Sequence, residues 1–236
     1  MEIATSNDYI TFDEFISRLF ELRAECNHEH YLCEIFIPFL KSCSIDGVKI
    51  VPVFDDRATG PKTEATTPTK ERMATICAKK DDGNYVVPDY IYVPLEYSFN
   101  NPMNPYLMVE TKKPAILDDG IHYRDLSDYI SENESEIRAE INAFNRGYVL
   151  FTDGLTWMFL TIVDDQIVES PKYETIRLID KYEKYHKTNR VKAKHQGKHV
   201  DLSYIGLGRF DVEIEPNEWN RLKEQIRKML TELKGE

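Results

Sequence analysis

The sequence predicts an α/β protein: a mixed central sheet flanked by helices, with a C-terminal helical extension. Three observations predict it. Short apolar runs of strand length, broken by turn signals, fill the stretch from residue 46 to 112. A polar stretch with helically spaced apolar residues follows, then two apolar runs around Asp153-Gly154. Helical periodicity opens and closes the chain.

Residues 11–43 read as helical. Thr11 and Glu14 have the spacing of a capping box, and Phe12, Phe15, Ile16, Leu19, Phe20 and Leu22 follow at helical spacing. Leu32, Ile35, Phe36, Phe39 and Leu40 make a second stripe, which Pro38 kinks or divides. Residues 46–55 read as a strand, and 56–71, rich in Thr, Pro and Gly, as a loop. Three strand-like runs come next: Met73–Ala78, Tyr85–Val93 and Tyr106–Lys112. Asp82-Gly83 and the segment from Asn100 to Pro105 separate them. Residues 118–145 read as one or two helices. The runs 147–152 and 155–163 form a hairpin, and Glu218 to Leu233 is a terminal helix. Residues 1–165 are therefore expected to form the core with its N-terminal helices. Residues 166–236 add a basic segment and a helix packed on that core.

The formal net charge of −11 argues against nucleic acid as a partner, because phosphate binding needs cations. Net charge does not decide the matter, since a local basic patch can do the binding. Lys181, Lys184, Lys187, Arg190, Lys192 and Lys194 lie in one stretch with Tyr182 and Tyr185 among them, and are candidate nucleic-acid contacts; a solvated surface segment is the plainer alternative. Cys26, Cys33, Cys43 and Cys77 form no CxxC pair, so they read as reduced thiols of a cytoplasmic protein. There is no run of about 18 apolar residues, so no membrane partner is expected. The N-terminus lacks the pattern of a secretory signal.

The chemistry concentrates on two strands. Side chains alternate along a strand, so Glu110 and Lys112 share a face. Asp89 interrupts an apolar run, and a hairpin-like connection through residues 100–105 would bring it beside Glu110. Two carboxylates among Val, Ile and Tyr are costly to bury unless they are paired or bind a metal. A hard divalent cation such as Mg2+, with Mn2+ as a substitute, relieves their repulsion and activates water against a phosphodiester. A lysine beside it orients that water or neutralises charge in the transition state. The competing reading is a same-face ion pair at a strand end.

The segment VVPDYIYVP…PYLMVETKKP resembles the PD-(D/E)xK nuclease superfamily. The later IRAEINAFNRGYVLFTDGLTWMFL and the earlier CEIFIPFLK resemble, more narrowly, the N-terminal nuclease domains of type I restriction R-subunits. Together the resemblance covers about residues 28–163. It implies a restriction-endonuclease-like core of helix, three strands, helix and strand. It implies that Asp89 and Glu110 bind Mg2+ with the Thr111 carbonyl as third ligand, and that Lys112 positions the attacking water. The first helix of such proteins adds an acid, for which Glu29 and Glu34 are the candidates. Glu34 fits the motif better; helical geometry puts Glu29 nearer the stripe of Leu32, Phe36 and Phe39. Where relatives carry Gln and Tyr four apart on the helix after ExK, this chain offers Asp125 and Tyr129, or Glu136 and Glu140. No GxxxxGK[ST] motor motif follows.

The expected function is metal-dependent DNA hydrolysis in restriction, defence or phage biology, with RNA as an alternative substrate. A homodimer or other subunits of such a system are the expected protein partners. The alternative is a nuclease-like fold used only to bind nucleic acid or protein.

Overall fold

The capping box forms as the spacing predicts. The Thr11 N–H and hydroxyl donate to Glu14 Oε2 at 2.9 and 2.7 Å, and the Glu14 N–H donates back to Thr11 Oγ1 at 3.2 Å. It opens α1, Phe12–Glu25, which is followed by α2, Cys33–Ser42, with Pro38 inside it. The computed structural model describes residues 9–25, 32–53, 78–80, 83, 85–98, 101, 103–112, 125–184, 197–202, 208–214 and 216–235. Cys26, Glu29, the 56–71 loop and residues 73–77, with Cys77, lie outside them.

The main sheet has seven strands. Its path runs β1 (Val48–Pro52), β4 (Tyr90–Pro94), β5 (Leu107–Thr111), β6 (Val149–Thr152), β7 (Thr156–Val163) and β8 (Gln166–Glu169), and β9 (Ile176–Arg177) also pairs with β7. Only β5 and β6 run parallel; the other pairs are antiparallel, so the sheet is mixed. The two helices α3 (Ser127–Glu132) and α4 (Glu134–Asn142) lie in the connection between β5 and β6. Parallel neighbours need such a crossover.

Strand alternation sorts the core into two faces. Tyr90, Tyr92, Leu107, Val109, Leu150, Trp157 and Phe159 point to one side. There they meet Phe15, Phe36 and Phe39 from α1 and α2, and Trp219, Leu222 and Ile226 from the terminal helix α5, Pro216–Gly235. Ile91, Val93, Met108, Phe151, Met158 and Leu160 point to the other side and meet Ile137, Ala139 and Ile141 of α4.

The β6–β7 hairpin turns where Asp153-Gly154 predicts. Gly154 has φ +87°, and a Cβ there would come within 2.9 Å of Leu19 Cδ2 and 3.2 Å of Phe36 Cζ. Both the left-handed backbone and the close approach demand glycine. Phe151, Trp157 and Phe159 are all fully buried, as expected of core residues.

Two expectations need correction. The run Tyr85–Val93 is not one strand: β3 (Tyr85–Val86) pairs with β2 (Ala78–Lys79) in a separate ribbon, and the main-sheet strand begins only at Tyr90. Pro88 lies in the break, where its missing N–H cannot serve a ladder. Asp89 therefore sits just before a strand rather than within one. The segment after residue 165 is richer in strands than expected. Besides β8 and β9, it forms a three-stranded sheet from β10 (Ile179–Lys184), β12 (Gly208–Ile214) and β11 (Gly197–Leu202). No described helix is long and apolar enough to cross a membrane.

Candidate active site

The register brings Asp89 to Glu110. Tyr90 pairs with Val109 across β4 and β5, so one step further places Asp89 opposite Glu110. The Asp89 side chain takes over where the ladder stops. Its Oδ2 accepts from the Thr111 N–H at 2.7 Å and from the Thr111 hydroxyl at 2.5 Å. Glu110 points to the same face as Met108 and α4. Lys112 continues that face: its backbone N–H donates to the Thr152 carbonyl at 2.7 Å, and its Nζ donates to Glu110 Oε1 at 2.7 Å. The structure thus brings Asp89, Glu110, Thr111 and Lys112 to one end of the two central strands.

The corner is nearly dry. Glu110 is 8% exposed and the Lys112 side chain 12%. Burial and the neighbouring Asp89 push the Glu110 carboxyl up to about 8, against the opposing pull of Lys112. A carboxylate held in that state is one that a cation would discharge.

A third acid reaches this region from α4. Glu140 is 1% exposed, and among the described residues neither of its oxygens has a hydrogen-bond partner. Burial first, then the charges of Glu110 and Asp89, drive its carboxyl well above the usual range. Of the two acid–partner pairs that sequence offered on the following helices, Glu136 and Glu140 are the pair associated with Glu110. Glu136 also accepts from Lys80 at 3.1 Å. Asp125 is engaged elsewhere, with the Ser127 N–H and hydroxyl and, at 3.9 Å, with Arg177. The available signal for Glu140 was a charge at position i+3 from Ile137 in an apolar helical stripe.

Glu34 is not drawn into this cluster. Its side chain is 58% exposed and accepts from Arg18 Nε and Nη2, both at 3.2 Å. It sits on α2, whose apolar stripe covers the opposite sheet face. Lys181 and Lys184 fall on β10, opposite Glu213 and Phe210 in the register. Lys187, Arg190, Lys192 and Lys194, like Glu29, lie outside the described residues.

Asp153 is a second fully buried acid, but its role is local. Its Oδ1 accepts from the Leu155 and Thr156 N–H groups at 2.9 and 2.8 Å and so fixes the hairpin turn. Burial raises its carboxyl to about 7.

The donor set fits a hard divalent cation. All the candidate ligands are oxygens, and two acids lie beside the ammonium of Lys112. Among the described residues no three His, Cys, Asp or Glu side chains are placed to hold one ion together. Binding through Asp89 and Glu110 would therefore draw its remaining ligands from backbone carbonyl, such as that of Thr111, and water. Comparison with models of known families, with curated proteins and with solved structures finds no match to this chain.

Proposed function

We propose that this protein is a Mg2+-dependent nuclease of the PD-(D/E)xK type that hydrolyses DNA phosphodiester bonds. The observation that carries the reading is the meeting of Asp89, Glu110 and Lys112 at one buried strand end, with Lys112 Nζ 2.7 Å from Glu110. A simple structural ion pair would not need a second acid beside it.

In this reading Asp89 and Glu110 hold the cation, and the Thr111 carbonyl adds a third protein oxygen. A bound Mg2+ supplies positive charge to polarise the phosphodiester and to ease loss of a proton from water. Lys112 donates from its ammonium to the attacking water or to the phosphate oxygens, and stabilises the charge that grows on them. The water oxygen bonds to phosphorus as the bond to the departing sugar oxygen breaks. The water gives up one proton and the departing oxygen gains one. Attack at phosphorus does not itself distinguish DNA from RNA, so substrate choice rests on groups outside the triplet.

A second reading, a nuclease-like fold that only binds nucleic acid or protein, draws on two contacts in the same corner. Asp89 Oδ2 already accepts twice from Thr111, and Glu110 is already paired. The two readings separate on incubation of the pure protein with linear, circular and single-stranded DNA and with RNA. The nuclease reading expects cleavage with Mg2+ or Mn2+ and none with chelator. Intact substrates under every condition would leave the binding-module reading.

A further inference from the structure

One buried group on the second sheet face is unused by the chemistry above. Glu140 lies on α4 between Ala139 and Ile141, in the layer that packs over Met108 and Phe151. Neither carboxylate oxygen has a hydrogen-bond donor among the described residues, although the side chain is buried from solvent. A buried polar group without a partner is costly, and a charged one more so. Four of the charged groups that act on it are Glu110, Asp89, Lys112 and Glu136. Glu136 is paired with Lys80. Among the described residues, Glu140 thus adds a third carboxylate to Asp89 and Glu110 near the ammonium of Lys112.

We propose, resting on the cation-dependent reading above, that Glu140 is a third carboxylate of the cation site and engages the ion's hydration shell rather than the ion itself. Direct ligation by all three acids is not what the side chains are placed to do. Mg2+ keeps several of its waters when a protein binds it, and each of those waters has hydrogens that need acceptors. Glu140 offers two oxygens that nothing in the described structure occupies. The arrangement gives a positioning residue, acting on the cation through water and leaving Asp89 and Glu110 as the direct ligands. Its place on the helix that follows β5 ties the packing of α4 to the loading of the site.

The test is Mn2+ and Mg2+ titration calorimetry on the full chain, with thermal unfolding of the metal-free protein alongside. Glu140→Gln is expected to weaken cation binding about tenfold to a hundredfold, the range seen when a group supporting a metal ligand is removed. The same variant is expected to unfold at a higher temperature than wild type without metal. Glu140→Met, an apolar side chain of similar length, should show the same loss of affinity and guards against a folding defect in the first variant. Wild-type affinity in both variants overturns the proposal, even if their stability changes, and leaves the nuclease reading intact. Failure of the wild type to bind either cation overturns both. Weakened binding in the variants of a protein that cleaves no nucleic acid upholds Glu140 and removes the nuclease reading.

Discussion

The two faces of the central sheet are built to different rules. One buries Phe15, Phe36, Phe39, Trp157 and Trp219 against each other, with ring centroids such as Phe39–Trp219 at 4.5 Å and Phe39–Trp157 at 4.9 Å. Among the described residues, polar groups on this side are tied to the packing: the Trp157 Nε1–H donates to the Gly154 carbonyl, and the buried Lys223 ammonium lies 4.9 Å from the Trp219 ring centroid. The other face buries a comparable set of aliphatic side chains but also takes in Glu110 and Glu140. The first arrangement is what stability alone selects. The second carries Glu110, paired with Lys112, and Glu140, without a hydrogen-bond partner among the described residues, a costly arrangement of the kind that clusters at functional sites. On the proposed reading, stability and chemistry are divided between opposite sides of the same strands.

The largest effects should separate these sides cleanly. Asp89→Ala, Glu110→Ala and Lys112→Ala are each expected to lower cleavage by about a thousandfold or more in a nuclease assay, with the fold retained by circular dichroism. Undiminished cleavage in all three would erase the distinction. On the aromatic side, Trp157→Ala should cost about 3–5 kcal/mol by denaturant unfolding, from lost burial and the cavity left behind. A loss below about 1 kcal/mol would mean that this face is not the main source of stability.

A subtler contrast is in pH. The Glu110 carboxyl rises from 4.5 to about 8 on folding, and that of Asp153 from 3.8 to about 7. At these two groups, and at Glu140, whose carboxyl burial also raises, the folded chain holds more protons than the unfolded one, so their contribution to stability is fully present at low pH and declines as pH rises. In the metal-free protein this contribution should therefore fall as pH rises from about 4 to about 8. Glu110→Gln should make that decline shallower without removing it, because Asp153 and Glu140 still titrate. A profile unchanged by the substitution would show that Glu110 ionises normally. The smallest expected effect is remote from both faces: Thr11→Ala, which opens the capping box of α1, should cost about 1 kcal/mol and leave cleavage untouched.

Much of this division is legible in the sequence, and the exceptions have physical causes. The alternation of Leu107 to Lys112 puts Glu110 and Lys112 on one face, and the turn-rich segment before it brings Asp89 alongside. The hairpin at Asp153-Gly154 and the stripe of α5 are equally direct. The break at Pro88 is harder to read, because Val86 and Val87 continue the apolar run while the backbone leaves the sheet. The strands after residue 165 are short or highly charged, as in Gln166–Glu169 and Ile179–Lys184, so an apolar alternation barely marks them. Glu140 was visible as one of two alternative pairs with Glu136, but choosing it required the packing of α4 on the sheet. The exposure of Glu34 follows from its place off the apolar stripe of α2, whereas its pairing with Arg18 depends on how two helices meet.

The central claim is that Asp89 and Glu110 share one divalent ion. It is tested most directly by titrating Mg2+ into the wild-type chain and into Asp89→Ala and Glu110→Ala by calorimetry. The account predicts a saturable heat for the wild type that either substitution removes. Equal binding by all three proteins, or none by the wild type, would contradict it.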